Sequence, residues 1–212
     1  MNTLFDHARQ TGNVVLTGTE AGTDPTASLI KQAASDKEFY CYIAGDGWVC
    51  IDKRWATKKV NTGWHKVVDS GSGHSARGVT WMTVDTPYGQ VSVAAMHLLT
   101  AKSSEQEPNA NGRLQDAAVS WAKDHGPLSF IGADVNANDE TKNVWGSKDV
   151  TTCWDELGKW PDTHEGGPDA TIDVFTRLTS GSATFTAAKV LPDADLQLNA
   201  DHKLIEGTIK IT

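Results

Sequence analysis

Apolar and polar positions alternate along this chain in short runs, and most runs have the period of a half-buried strand. Val14–Thr17, Phe39–Ile43, Trp48–Asp52, Val79–Val84, Val91–His97, Leu128–Gly132, Thr171–Phe175, Phe185–Val190 and Leu204–Ile211 combine Val, Ile and Thr with aromatics. Turn residues bound each run, so all nine predict strands. Gly45-Asp46-Gly47 and Pro87-Tyr88-Gly89 read as hairpin turns. Two segments predict helices instead. Asp24-Pro25 offers an N-cap with proline at the first helical position, leading into Ser28–Ala34. Arg113–Asp124 sets Leu114, Ala117, Ala118 and Trp121 on one face before Gly126-Pro127 stops it. The expectation is a strand-dominated α+β chain, two packed sheets with helices outside.

Length and composition narrow this picture. At 212 residues and 39% hydrophobic, with no Pro/Ser-rich linker and no internal repeat, the chain reads as a single domain over 1–212 with a sizeable core. Met1 to Asn13 lacks the basic-then-apolar pattern of a secretion signal. No apolar run reaches the roughly 20 residues that span a bilayer, so the expectation is a cytoplasmic protein with no membrane partner. Three cysteines fit a reducing compartment. Cys41 and Cys50 would oppose each other on the hairpin around Gly45-Asp46-Gly47, as packed thiols or as a bridge. The net charge of −8 argues against a purely electrostatic DNA binder. It leaves room for an acidic site built around a divalent metal.

The informative residues are acids and histidines at strand ends. Glu20 follows the Val14 run in a glycine-flanked loop, where it suits a hard cation or is a solvated loop charge. His97 ends an apolar strand, as a satisfied core histidine would. Leu128–Gly132 runs into Asp134-Val135-Asn136, and period-two geometry points Asp134 and Asn136 to one side. A carboxylate beside an amide donor suits a water nucleophile next to a phosphoryl oxygen, although an Asx-rich turn has the same residues. Asp173 lies inside an apolar run and is costly to bury unpaired. A histidine partner is natural, and Asp201-His202 supplies one.

In order, these residues read Glu, His, Asp-x-Asn, Ile-Asp, Asp-His. The pattern resembles the endonuclease/exonuclease/phosphatase superfamily, and within it the DNase I branch. Ile131-Gly132-Ala133-Asp134-Val135-Asn136 is similar to its Gly-Asp-Phe-Asn motif, and Ile172-Asp173 to its Ile-Asp-Tyr strand. Ala200-Asp201-His202 is similar to its Ser-Asp-His, Ala95-Met96-His97-Leu98 to its Thr-His-Leu, and Asp162-Thr163-His164 to its Asp-Thr-x. Ser75-Ala76-Arg77-Gly78 sits where such enzymes carry a phosphate-facing arginine. The resemblance runs from about Val14 to Ile211. It implies a four-layered α/β/β/α sandwich of two packed mixed or antiparallel sheets. One departure stands out: the family opens with a strand ending in a metal-site asparagine, and here only thirteen residues precede Val14. Either Asn2 holds that role with its strand lost, or the role is empty, and the sequence assigns neither.

The resemblance also implies roles. Glu20 would hold Mg²⁺ or Mn²⁺, with Asp201 contributing to that site or a second one. Asp134 and Asn136 would position the attacking water. His202, oriented by Asp173, would act as general base or contact the scissile phosphate. His97 would be the acid toward the leaving oxygen, while Arg77 and His164 would neutralise phosphoryl charge. The leading expectation is a metal-dependent nuclease cleaving DNA or RNA, with no obligate protein partner. Lys53, Arg54, Lys58, Lys59 and Lys66, interleaved with Trp55 and Trp64, mildly favour nucleic acid. The alternatives are a phosphatase or phosphodiesterase acting on a small molecule, and a catalytically silent binding module of the same fold.

Overall fold

The computed structural model describes residues 1–21, 25–71, 74–100, 103, 107, 109–136, 149–163, 171–191, 202 and 204–212. The strands are β1 (Val15–Gly18), β2 (Phe39–Ala44), β3 (Gly47–Asp52), β4 (Lys58–Val68), β5 (Arg77–Thr86), β6 (Gly89–His97), β7 (Ser129–Asp134), β8 (Val150–Thr152), β9 (Asp173–Leu178), β10 (Ala183–Val190) and β11 (Ile205–Ile211). The helices are α1 (Asn2–Thr11), α2 (Thr26–Asp36), α3 (Ala110–Asp124) and α4 (Cys153–Leu157).

One layer is a six-stranded sheet ordered β4-β5-β6-β7-β9-β8. Its strands pair antiparallel except β6 with β7. A parallel pair needs a crossover, and α3 lies between those two strands in sequence. That helix buries Leu114, Ala118 and Trp121 in one cluster with Val79, Met96 and Ile131, covering the outer face of the sheet. The inner face carries Met82, Val93 and Phe130, which pack with Val49 and Ile51 of β3. Here lies the second β layer, made of β1-β3-β2 and of the separate pair β10-β11. Leu4, Phe5 and Ala8 of α1 and Ile30, Ala33 and Ala34 of α2 close its far side against Phe39 and Trp48. Phe5 is fully buried, its ring 5.2 Å from that of Phe39; truncation to alanine costs about 3–5 kcal/mol. The four layers are those expected for the DNase I-like fold.

The layers approach closely beneath the site. A Cβ at Gly132 of β7 would collide with the Thr17 hydroxyl of β1, so glycine lets the two sheets meet there. At the β2–β3 hairpin the two-residue turn holds Gly45 at φ 56, and Cys41 faces Cys50 in register as a free thiol pair.

Several elements differ from expectation. β4 falls in the lysine-bearing stretch where the sequence predicts no strand: about half of its residues are exposed, so no apolar alternation marks it. α1 has Leu4, Phe5 and Ala8 at helical spacing but no side-chain N-cap, and only Gly12, left-handed at φ 78, marks its end. Asn2 therefore opens a helix. Pro25 is itself the N-cap residue of α2, so the cap falls one residue later than expected, and Asp24 lies outside the described residues. β8 and α4 are too short to show a period. No helix among the described residues is long and apolar enough to cross a membrane.

Candidate active site

Strand register brings the principal acids and histidines together. His97, the last residue of β6, pairs with Asp134, the last of β7, and Asp134 pairs with Asp173, the first of β9. Three chemistry-bearing side chains thus stand side by side on adjacent central strands at one end of the sheet. Arg77 begins β5 at the same end.

Two histidines converge on Asp134, each backed by its own carboxylate. His97 is 4% exposed, with Nδ1 2.5 Å from Asp46 Oδ2 and Nε2 3.1 Å from Asp134 Oδ2. His202 has Nδ1 3.0 Å from Asp173 Oδ2 and Nε2 3.7 Å from Asp134 Oδ2. A carboxylate on Nδ1 fixes the ring and leaves Nε2 for chemistry.

The electrostatics of the two pairs differ. Burial works to lower the His97 pKa, but the hydrogen bonds to Asp134 and Asp46 and the Asp134 charge outweigh it and hold His97 above the ordinary histidine value. Burial likewise works to raise Asp46, yet the hydrogen bond from His97 and the Arg77 charge keep its carboxyl below the usual range. Asp173 moves the other way: burial pushes it up and the Asp134 charge adds to that, against the hydrogen bond from His202.

Asn136 reaches this site by a route other than strand alternation. β7 ends at Asp134, and Asn136 sits in a left-handed turn at φ 46, its backbone N–H donating to Asp134 Oδ1 at 2.9 Å. Its side chain folds back so that Nδ2 lies 2.7 Å from His97 Nε2 and donates to the Leu98 carbonyl at 3.0 Å. The Asx turn and a place beside His97 coexist.

Arg77 is 9% exposed and spends its guanidinium on Asp46, at 2.6 Å, and on the Ser75 hydroxyl. Its charge is thereby largely committed within the protein. Glu20 follows β1 at this end of the sandwich, at φ 60 and exposed, and is not among the clustered ligand atoms. Asp201 and His164 lie outside the described residues.

Asp46 and Thr163 are the two supporting residues that function-directed reading did not assign. Asp46 looks like an ordinary turn residue in a Gly-Asp-Gly hairpin, and nothing in its neighbours announces a buried carboxylate. Thr163 is fully buried, and its Oγ1 accepts from the backbone N–H groups of Ile172 at 2.9 Å and Asp173 at 3.0 Å, fixing the start of β9. The Asp162-Thr163-His164 motif was the signal for it. The basic cluster is dispersed. Lys58 and Lys59 pair with Asp85 and Val84 at the far end of β4, Arg54 is bound to Asp52, Lys66 to Asp69, and Lys53 lies over Tyr40. The Trp64 ring is packed over Gly45 and Gly78.

Among the described residues, Asp134, Asp173 and His202 can each offer one ligand atom within 4.8 Å of the others. Burial is the main cause that raises Asp173 and the nearby Asp134 charge adds to it; a cation between the two carboxylates would relieve that repulsion. Carboxylate oxygens with one imidazole fit Mg²⁺ or, better, Mn²⁺.

No known sequence family matches the chain, and no curated protein sequence does. Solved structures do. TDP2 from D. rerio, complexed with single-strand DNA product, superposes with a TM-score of 0.76 at 14% identity, covering 99% of this chain and 91% of that one. An endonuclease/exonuclease/phosphatase from Beutenbergia cavernae gives 0.74 at 15% identity, over 99% and 66%. The human Nocturnin catalytic domain with bound sulfate gives 0.71 at 13% identity, over 99% and 85%. The chain therefore has the fold of the endonuclease/exonuclease/phosphatase superfamily, the DNase I-like fold.

Proposed function

We propose that this protein is a divalent-metal-dependent phosphoester hydrolase, and in its leading form a nuclease. The observation that carries the reading is the convergence of two carboxylate-backed histidines on Asp134, beside a triad of atoms able to hold a cation.

Asp134 and Asp173 would hold the metal through carboxylate oxygens, leaving His202 Nε2 free of it, and when bound the metal would supply Lewis-acid stabilisation of a phosphoryl oxygen. The chain's own residues do the rest. His202, its Nδ1 held by Asp173, takes a proton from water at Nε2 as general base. Asp134 accepts the second hydrogen of that water and orients it for in-line attack. Asn136 donates its amide N–H to a non-bridging phosphoryl oxygen. His97, charged between Asp46 and Asp134, gives its Nε2 proton to the departing oxygen. Glu20, at the mouth of the site, becomes a further oxygen ligand if its loop turns inward. Arg77 helps keep Asp46 ionised, while its own charge works against the proton on His97 that Asp46 and Asp134 hold. Asp201 and His164 retain the metal-binding and phosphate-neutralising roles that the resemblance implies.

A nucleic-acid substrate is supported by the fold shared with a structure solved on single-strand DNA product. A small phosphorylated molecule is the second reading, and one observation favours it: most cations expected to track a phosphate backbone are paired within the protein or stand far from the site.

The test is incubation with supercoiled plasmid, single-stranded RNA and a soluble phosphodiester, under Mg²⁺, Mn²⁺ or EDTA, beside His202→Ala. Metal-dependent cleavage of nucleic acid lost in the variant supports the nuclease. Turnover of the small ester alone selects the second reading, and no turnover of any substrate overturns both.

A further inference from the structure

The thiols of Cys41 and Cys50 take no part in the chemistry proposed above. They sit opposite each other on β2 and β3, in a hairpin whose two-residue turn is closed by the Ala44–Gly47 pair. Along such a hairpin, pairs whose backbones bond to each other alternate with pairs whose backbones do not. Counted from Ala44–Gly47, Cys41–Cys50 is of the second kind. There the Cα atoms stand about 4.5 Å apart with both side chains on one face, inside the span of roughly 4.4–6.8 Å that a disulfide needs. The two sulfurs meet at 2.7 Å, with Cys50 donating to Cys41. They differ in access. Cys50 is fully buried, in one cluster with Phe5 of α1 and Ala34 of α2. Cys41 is half-buried on β2, an edge strand of its sheet. The hydrogen bond from Cys50 holds the Cys41 thiol below its ordinary pKa; burial opposes this, and the Lys31 charge on α2 adds to it. Burial pushes Cys50 the other way, helped by the neighbouring Cys41.

We propose that Cys41 and Cys50 form a redox site, at which a small disulfide of the glutathione class installs a reversible bond tying β2 to β3. The Cys41 sulfur attacks one sulfur of the small disulfide and makes a mixed disulfide. One small thiol leaves, carrying the proton that Cys41 loses. Cys50 then gives up its proton and attacks the Cys41 sulfur, which forms the cross-strand bond and releases the second small thiol. Two protein thiols are oxidised, one small disulfide is reduced to two thiols, and no further reactant enters. The order of attack follows access, since only Cys41 is reachable from solvent and an accessible thiol of lowered pKa is the reactive one. Cys153 stays out: it is fully buried in the cluster beneath α3, and burial pushes its thiol up to about 12. Three cross-strand pairs separate the new bond from the Gly45-Asp46 turn. The bond thereby fastens the hairpin that carries Asp46 to His97, and whose Asp46 carbonyl accepts from the Ala21 N–H at 3.3 Å.

The experiment incubates the reduced, folded protein with excess oxidised glutathione, quenches in acid, alkylates the remaining thiols and weighs the intact chain and its peptides. The expected product is a chain lighter by two hydrogens before alkylation, with no glutathione retained. Its Cys41 and Cys50 peptides are cross-linked, Cys153 is alkylated as a free thiol, and dithiothreitol restores the starting mass. The thermal midpoint of the oxidised chain rises by roughly 5 °C, because the bond constrains the unfolded state. Cys50→Ala should stop the reaction halfway, with one glutathione held at Cys41 and no rise in midpoint. Cys41→Ser, a change at the half-buried position, should leave Cys50 unreacted. Glutathione retained on Cys41 of the unsubstituted chain overturns the proposal, as do thiols that react only after unfolding. A bond to Cys153, a bond between two chains, or an oxidised midpoint no higher than the reduced one overturns it equally. The mass readout on the unsubstituted protein decides the question even where a variant fails to fold, and none of these measurements depends on hydrolytic activity.

Discussion

The two histidines aimed at Asp134 are chemically alike and physically unlike. His97 closes a central strand, is 4% exposed, and is held between Asp46 and Asp134 so that its proton binds tightly. The His202 side chain is 27% exposed, and its partner Asp173 is a carboxylate pushed up by burial and by Asp134. One arm stores a proton inside the protein, and the other faces solvent with a backing group poorly disposed to stay charged. In the proposed mechanism that asymmetry would separate an acid from a base without different residue types. It also divides stability from turnover, because only the buried arm is part of the sheet core.

The largest expected effect tests the open arm. His202→Ala should lower turnover by about 10² to 10⁴-fold while circular dichroism and the thermal midpoint stay near wild type. A comparable loss of folding would erase the distinction between the arms. His97→Ala should lose about 10²-fold in turnover and also destabilise by about 3 kcal/mol in urea unfolding, because Asp134 and Asp46 remain buried with a partner missing. Equal stability of the two variants would show that His97 is not structural. Thr163→Val, which strips two backbone N–H groups of their acceptor beside Asp173, should cost about 1–3 kcal/mol of stability with only a few-fold loss of rate.

The smallest effect is visible only in acid. Asp46 has a folded pKa below its unfolded value, so its contribution is present above the ordinary carboxylate range and lost as pH falls through the depressed folded value. Asp46→Asn should flatten the acid limb of a stability-versus-pH curve and leave a lower plateau at neutral pH. An unchanged acid limb would mean that the His97 arm draws its rigidity from elsewhere.

Legibility in the sequence followed burial. β6 and β7 are apolar almost throughout, so their ends and the residues placed there, His97 and Asp134, could be located from pattern alone. Asp173 was legible because a lone carboxylate in an apolar run demands a partner. Asp46 was not, since its burial comes from a hairpin folding onto a distant strand, a contact 51 residues away in sequence. β4 was hidden for the opposite reason: an edge strand exposes so much of itself that its composition is that of a loop. The dispersed lysines show the limit of proximity in sequence, because an extended strand carries neighbours to opposite ends of a sheet.

That edge strand has a consequence for how the molecule behaves in company. An unpaired sheet margin is a template for neighbouring chains, and crowding at high concentration would ordinarily propagate it into fibrils or amorphous precipitate. Here the margin displays exposed Lys58, Lys59, His65 and Lys66, and its ladder to β5 is interrupted by two bulges. Another molecule approaching edge-on would set rows of ammonium groups against each other on a rim too warped to register. The opposite margin is β8, only three residues long, too brief to nucleate growth. The large sheet is thus self-terminating on both flanks, a form of colloidal protection written into its least conspicuous strands.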